Sequence, residues 1–195
     1  MKSAFVGAVT AFGLMFATTV CAAPLQLQPA SPQPSAGQLK QGLSVRYAYA
    51  IQGQDIKRLA DARHWLKSGS ERGRPLSGLD YRDTTEGDPT LTSKRAMNVA
   101  ASISGYIRFD KPGTYEIDFL TNDGLDARIG GQRVGYFDGR QPCETTMGVQ
   151  VQAPVAGWYK LSAVYFQRLG TSCLHMRMGP KGSEPNWMPN SAFAH

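Results

Sequence analysis

Residues able to do chemistry are sparse in this sequence, and their spacing fits no common active site. The chain of 195 residues carries three cysteines and three histidines. Cys143 and Cys173 with His64, His175 and His195 show no ligand spacing that would bring them to one metal ion. There is no Gly-x-Ser-x-Gly elbow, no His-Glu-x-x-His and no phosphate-cradling glycine loop before a helix. The 15 Asp and Glu residues would allow a hydrolase built from paired loop carboxylates. Their separation is not readable from sequence. That reading ranks last, and the chain is expected not to be an enzyme. One short run stands apart: Asn122-Asp123-Gly124. Asn and Asp can bond their own backbone in a tight turn, and Gly tolerates positive φ.

The cysteines say more about location than about catalysis. Lys2 is followed by an apolar stretch over 4–20, then Cys21-Ala22-Ala23 and Pro24. Small residues at those positions after an apolar run mark a secretory signal, 1–23, cleaved before Pro24. An uncleaved anchor and lipid attachment at Cys21 are the rivals, and Val20 argues against the second. Cleavage leaves two cysteines, Cys143 and Cys173, and predicts one disulfide in an oxidising compartment. A periplasmic or secreted location follows, with no transmembrane segment after cleavage. The net charge is +6, but the basic residues over 57–95 alternate with Asp61, Glu71, Asp80, Asp83, Glu86 and Asp88. That is a mixed solvated surface, and no nucleic-acid partner is expected.

The elements that must position these residues are mostly strands. The 21 glycines and 12 prolines suit short strands and turns. The segment 24–41, with Pro29, Pro32 and Pro34, reads as a flexible Pro/Gln-rich linker. One domain is expected over 42–193. Residues 43–49 alternate with period two. A short helix is expected over 55–66, where Ile56, Leu59, Ala60 and Leu66 share a face and Asp55 caps the start. From Asn98 onward the pattern is strongly β: 99–109, 115–119, 125–129, 132–136, 147–151, 159–166 and 173–178. Regular short strands with turns between them predict an all-β sandwich or barrel. Trp158 is expected in the core. Trp65, Tyr136, Phe137 and Trp187 are the aromatic candidates for stacking on a sugar ring.

The stretch 105–134 carries a more specific signal. It reads Gly105-Tyr106-Ile107, then Gly113-Thr114-Tyr115-Glu116-Ile117-Asp118-Phe119, then Thr121-Asn122-Asp123-Gly124-Leu125. Ala156-Gly157-Trp158-Tyr159 and Val164-Tyr165-Phe166 follow further on. This pattern resembles the protective-antigen fourteen-kilodalton domain family. The resemblance covers about 42–193 and implies a twisted antiparallel, jelly-roll-like β-sandwich. Members occur in adhesins, flocculins, glycosidases and toxins, and several bind carbohydrate. In the calcium-using members two successive aspartates joined by a cis peptide hold the ion. Asn122 and Asp123 stand at those positions, so Asn122, Asp123 and Gly124 are the candidate ligand-binding residues and Asn122 and Asp123 the candidate Ca²⁺ ligands. Asn122 keeps a carbonyl donor and loses a charge, which weakens the site for a hard cation. The plain hairpin turn stays open beside it, and Asp138-Gly139-Arg140 is the loop from which further ligands could come. The resulting expectation is a non-catalytic module that binds a glycan of the cell envelope or matrix. The alternative is an accessory domain that binds an envelope protein.

Overall fold

A computed structural model describes residues 22–195. The expected signal up to Cys21 lies outside the described residues. Fourteen strands and one helix follow in order. They are β1 (Leu25–Gln26), β2 (Ser44–Tyr49), α1 (Leu59–Ser68), β3 (Glu71–Arg72), β4 (Asp80–Tyr81), β5 (Val99–Phe109), β6 (Gly113–Asn122) and β7 (Gly124–Ile129). Then come β8 (Gln132–Phe137), β9 (Glu144–Thr145), β10 (Val149–Ala153), β11 (Gly157–Gln167), β12 (Cys173–Pro180), β13 (Asn186–Trp187) and β14 (Phe193–Ala194). They form two sheets facing each other, as the all-β reading predicts. One runs β1-β10-β6-β12-β13, with β4 on β12 and β9 on β6. The other runs β3-β2-β5-β11-β7-β8, with β14 on β5. Every pairing is antiparallel except β1 with β10. Among the described residues no helix is long and apolar enough to cross a membrane.

Period-two alternation explains how the sheets stack. On β5 the inward residues Ile103, Ile107 and Phe109 are buried, and β11 sets Tyr159, Leu161 and Tyr165 beside them. From the facing sheet come Ile117, Phe119, Val151, Leu174 and Met176. Trp158, expected in this core, is only half-buried. Its register opposite Arg108 turns it outward, where the guanidinium lies 5.7 Å from its ring.

Two further expectations are corrected. The helix begins four residues later than its apolar pattern suggests. Asp61, not Asp55, receives the backbone N–H groups of Lys57 (2.9 Å) and Arg58 (3.1 Å). Asp138, from a loop far along the chain, accepts the Leu59 N–H at 2.7 Å. Asp138 thus satisfies one orphan donor of the first turn, and Asp61 the two N–H groups just before it. Ile56, Leu59 and Ala62 then pack on Ala48, Ala100 and Phe166, so α1 covers one end of the second sheet's outer face.

The segment 24–41, expected as a flexible linker, is laid across the sandwich edges. Leu27 N–H bonds Gln152 O (3.0 Å), Gln28 N–H bonds Gly130 O (3.0 Å) and Ala30 N–H bonds Trp158 O (2.8 Å). Leu27 is 2% exposed. Proline-rich chain favours an extended form with free backbone groups, which suits the outermost strand position. Replacing Leu27 with Ala is expected to cost about 2–5 kcal/mol in urea denaturation. An unchanged midpoint would show that the segment does not support the fold.

Candidate loop-end site

The Asn122-Asp123-Gly124 run does not form a hairpin turn. Asn122 is the last residue of β6, opposite Cys173 in the first sheet. Gly124 is the first residue of β7, opposite Phe166 in the second. Asp123 is therefore where the chain crosses from one sheet to the other. The Asn122–Asp123 peptide is cis. Gly124 is needed for closeness rather than for positive φ: a Cβ there would lie 2.1 Å from the Phe166 ring.

This crossing is buried. Asn122 is 7% exposed and Asp123 3%. Tyr165 donates its hydroxyl to Asn122 O at 2.5 Å, Thr121 donates Oγ1–H to Asp123 O at 2.7 Å, and Asp123 N–H reaches Phe166 O at 3.1 Å. The Asp123 carboxylate accepts the backbone N–H of Gln141 on Oδ1 (3.2 Å) and that of Arg168 on Oδ2 (2.8 Å). Burial pushes its pKa up; the two backbone N–H bonds, then Arg140 and Arg168, pull the other way. Gln141 extends the link, donating Nε2–H to Thr121 O (3.0 Å) and Glu144 O (3.1 Å). Asn122 Nδ2 donates to Thr171 Oγ1 at 3.1 Å. Asn122 and Asp123 thus hold two loops, 138–143 and 168–172, and with Gly124 offer almost no surface of their own.

The donor set does not fit calcium. Ca²⁺ takes six to eight oxygens converging on one point. Here a single carboxylate has both oxygens engaged by N–H donors, and the nearby charges are cationic. Asp138, in the loop expected to supply more ligands, caps α1 instead. Among the described residues, Cys143, Cys173 and His175 form a cluster with metal-ligand closeness. Their sulfurs are joined: the expected disulfide is present, with Cα atoms 5.9 Å apart. It fastens loop 138–143 to the start of β12. The neighbouring His175 is buried, with Nδ1 3.4 Å from Asp80 Oδ1. Burial lowers its pKa below the ordinary 6.5.

Sequence reasoning missed the residues that carry the site outward. Arg168 clamps Asp55 through Nε (2.9 Å) and Nη2 (2.5 Å). That bond outweighs burial, which acts in the opposite direction, and holds the Asp55 carboxyl below its usual range. Asn98 donates Nδ2–H to Asp55 Oδ1 (3.2 Å) and accepts the Ile56 N–H on Oδ1 (3.0 Å). Asn98 has φ +52°, a left-handed conformation that Asn tolerates better than most residues. An Asn just before a strong strand is the one signal that could have marked it. Asp55 and Asn98 line an open groove of about 640 Å³ with Tyr49, Gln52, Gln54, Arg95 and Met97. Arg95 lies over Tyr49, 4.7 Å from its ring centre.

No family model matches the sequence, and no curated protein matches it. Solved structures do match the fold. A PA14 sugar-binding domain from an RTX adhesin aligns at 17% identity and a TM-score of 0.62, over 80% of this chain and 98% of that one. The PA14 domain of the MpAFP antifreeze protein aligns at 14% and 0.68, over 85% and 96%. The Epithelial Adhesin 9 A domain from Candida glabrata, solved with Galb1-3GlcNAc, aligns at 14% and 0.64, over 85% and 92%. The fold is that of the PA14 domain, the protective-antigen type that the sequence resembles.

Two outcomes test this site. Asp123→Ala leaves two buried N–H groups without an acceptor and is expected to cost about 2–5 kcal/mol in chemical denaturation, while chelator leaves the wild-type midpoint unchanged. Because the folded His175 is harder to protonate than the unfolded one, its contribution is complete above the ordinary value near 6.5 and is lost as pH falls toward the lower folded value. A pH series of unfolding free energies should show that slope, and His175→Gln should flatten it.

Proposed function

We propose that this chain is a non-catalytic carbohydrate-binding module of an exported protein, taking a neutral glycan of the envelope or matrix at the loop-end groove. The observation that supports it best is the groove itself, at the Asp123 end of a PA14 fold. Asp55, Asn98, Gln54 and Arg95 supply planar polar groups suited to sugar hydroxyls, and Tyr49 and Met97 supply apolar contact. The Arg168–Asp55 clamp gives these groups a fixed place without a metal ion. Solved neighbours of this fold include an adhesin domain in complex with Galb1-3GlcNAc.

One observation favours the second reading, a protein-binding accessory domain. Ile51, Met97 and Leu169 are 58%, 44% and 47% exposed. Each is one residue from a backbone-bonded series, Ala50 N–H to Asn98 O and Asn98 N–H to Arg168 O. An apolar rim of this kind suits a protein partner.

A glycan array with and without chelator separates the two. Selective glycan binding in both conditions is expected, with Gln54→Ala at least tenfold weaker by calorimetry. Folded protein that binds no glycan, and instead co-purifies with one envelope protein in a manner abolished by Met97→Asp, would sink the sugar reading.

A further inference from the structure

The second sheet's outer face carries a feature unrelated to the loop-end groove. Strand register sets Ser44, Ser104, Ser162, Arg128 and Arg133 in one row across five neighbouring strands. Two residues along from Ser44, Arg46 stands opposite Arg72 on β3. The stripe spans β3 to β8, about 24 Å at a strand spacing of about 4.8 Å. At its β2–β3 end lies a depression of about 830 Å³, lined by Lys40, Arg46, Arg72, Ser44, Ser104 and His195 among others, with no Asp or Glu side chain and no Phe, Tyr or Trp ring in its wall.

The charges of this stripe are not explained by the fold. Like charges directly opposite on paired strands destabilise a sheet. That arrangement occurs twice here, at Arg46–Arg72 and Arg128–Arg133. Among the described residues Lys40, Arg46, Arg72 and Arg128 have no carboxylate in ion-pair range; of the stripe's cations only Arg133 has one, Asp126 at 3.0 Å. Arg46 donates to the Ser70 carbonyl and hydroxyl, and Arg128 to Gly131 O, contacts that leave the positive charge uncompensated.

We propose that this stripe is a second binding surface, and that its ligand is an acidic polysaccharide, a linear uronate-bearing glycan lying across the strands. Guanidinium groups match planar carboxylates with paired N–H bonds. Serine hydroxyls donate and accept, as sugar hydroxyls require. Three serines lie between an arginine pair at each end, Arg46–Arg72 and Arg128–Arg133, which fits a linear chain bearing both carboxylates and hydroxyls along its length. A nucleic acid would want a series of aromatic platforms for its bases; here the His195 imidazole lines the depression and Tyr136 lies under Arg133 at the far end, with serines between them.

The test uses the full chain and sodium alginate as probe, with neutral dextran, polyphosphate and duplex DNA beside it, at low salt and at moderate salt. Alginate is expected to bind and dextran not to, with affinity falling as salt rises. Arg46→Gln/Arg72→Gln should weaken alginate at least tenfold and leave neutral-glycan binding at the loop end unchanged. Because Arg46 also holds Ser70, the exposed pair Arg72→Gln/Arg128→Gln serves as a second variant, with circular dichroism checking both folds. The proposal is overturned if alginate fails to bind at low salt, if the folded variants bind it as the wild type does, or if polyphosphate or DNA binds at least as tightly.

Discussion

The buried carboxylate of Asp123 is the contact on which the loop end of this sandwich depends. A charge taken out of water must be met by hydrogen-bond donors. Asp123 meets that need with the backbone N–H groups of Gln141 and Arg168, and so fixes two loops that are remote in sequence. It does so where the chain leaves one sheet for the other, with Tyr165 holding the Asn122 carbonyl from the core. Arg168 then passes the constraint outward to Asp55, and Asn98 ties Asp55 to the entrance of α1. The groove wall is thus several steps removed from the residues that determine its shape.

A carbohydrate site needs little more from a protein than a fixed set of polar groups beside an apolar surface. In the proposed groove the Arg168–Asp55 ion pair and the hydrogen bonds of the Asn98 amide supply that rigidity. Exposed ion pairs are weak alone, but Arg168 and Asp55 are partly shielded and share partners with Asn98. The disulfide adds a covalent limit on the same loop from its other end. Both devices suit the proposed recognition surface, built from loops on a rigid sandwich.

The sandwich also separates two kinds of surface by charge. The loop end balances Arg95, Arg140 and Arg168 against Asp55 and Asp123. On the flank of the second sheet the arginines stand nearly alone, among serines. In the sequence these cations are scattered among carboxylates, and nothing in their order suggests a stripe. Cross-strand pairing, not sequence clustering, gathers them.

Sequence by itself determined what rests on local periodicity and on counting. Alternation of apolar residues gave 99–109 as a strand with the bounds the structure shows, and the two cysteines beyond the expected signal gave one bridge. Those features need only near neighbours or simple arithmetic. Sequence misplaced the start of α1 because its cap comes from Asp138, far away in the chain. It read 24–41 as loose because edge-strand pairing leaves no periodic mark in two residues. It pointed to Asn122 and Asp123; that they are buried and hydrogen-bonded to two loops is visible only in the fold. Only tertiary structure could join Asp55 to Arg168, 113 residues apart, or set Arg46 against Arg72 and Arg128 against Arg133. The reason is that register and loop packing are fixed by the whole core at once, whereas a side chain's type is fixed one position at a time.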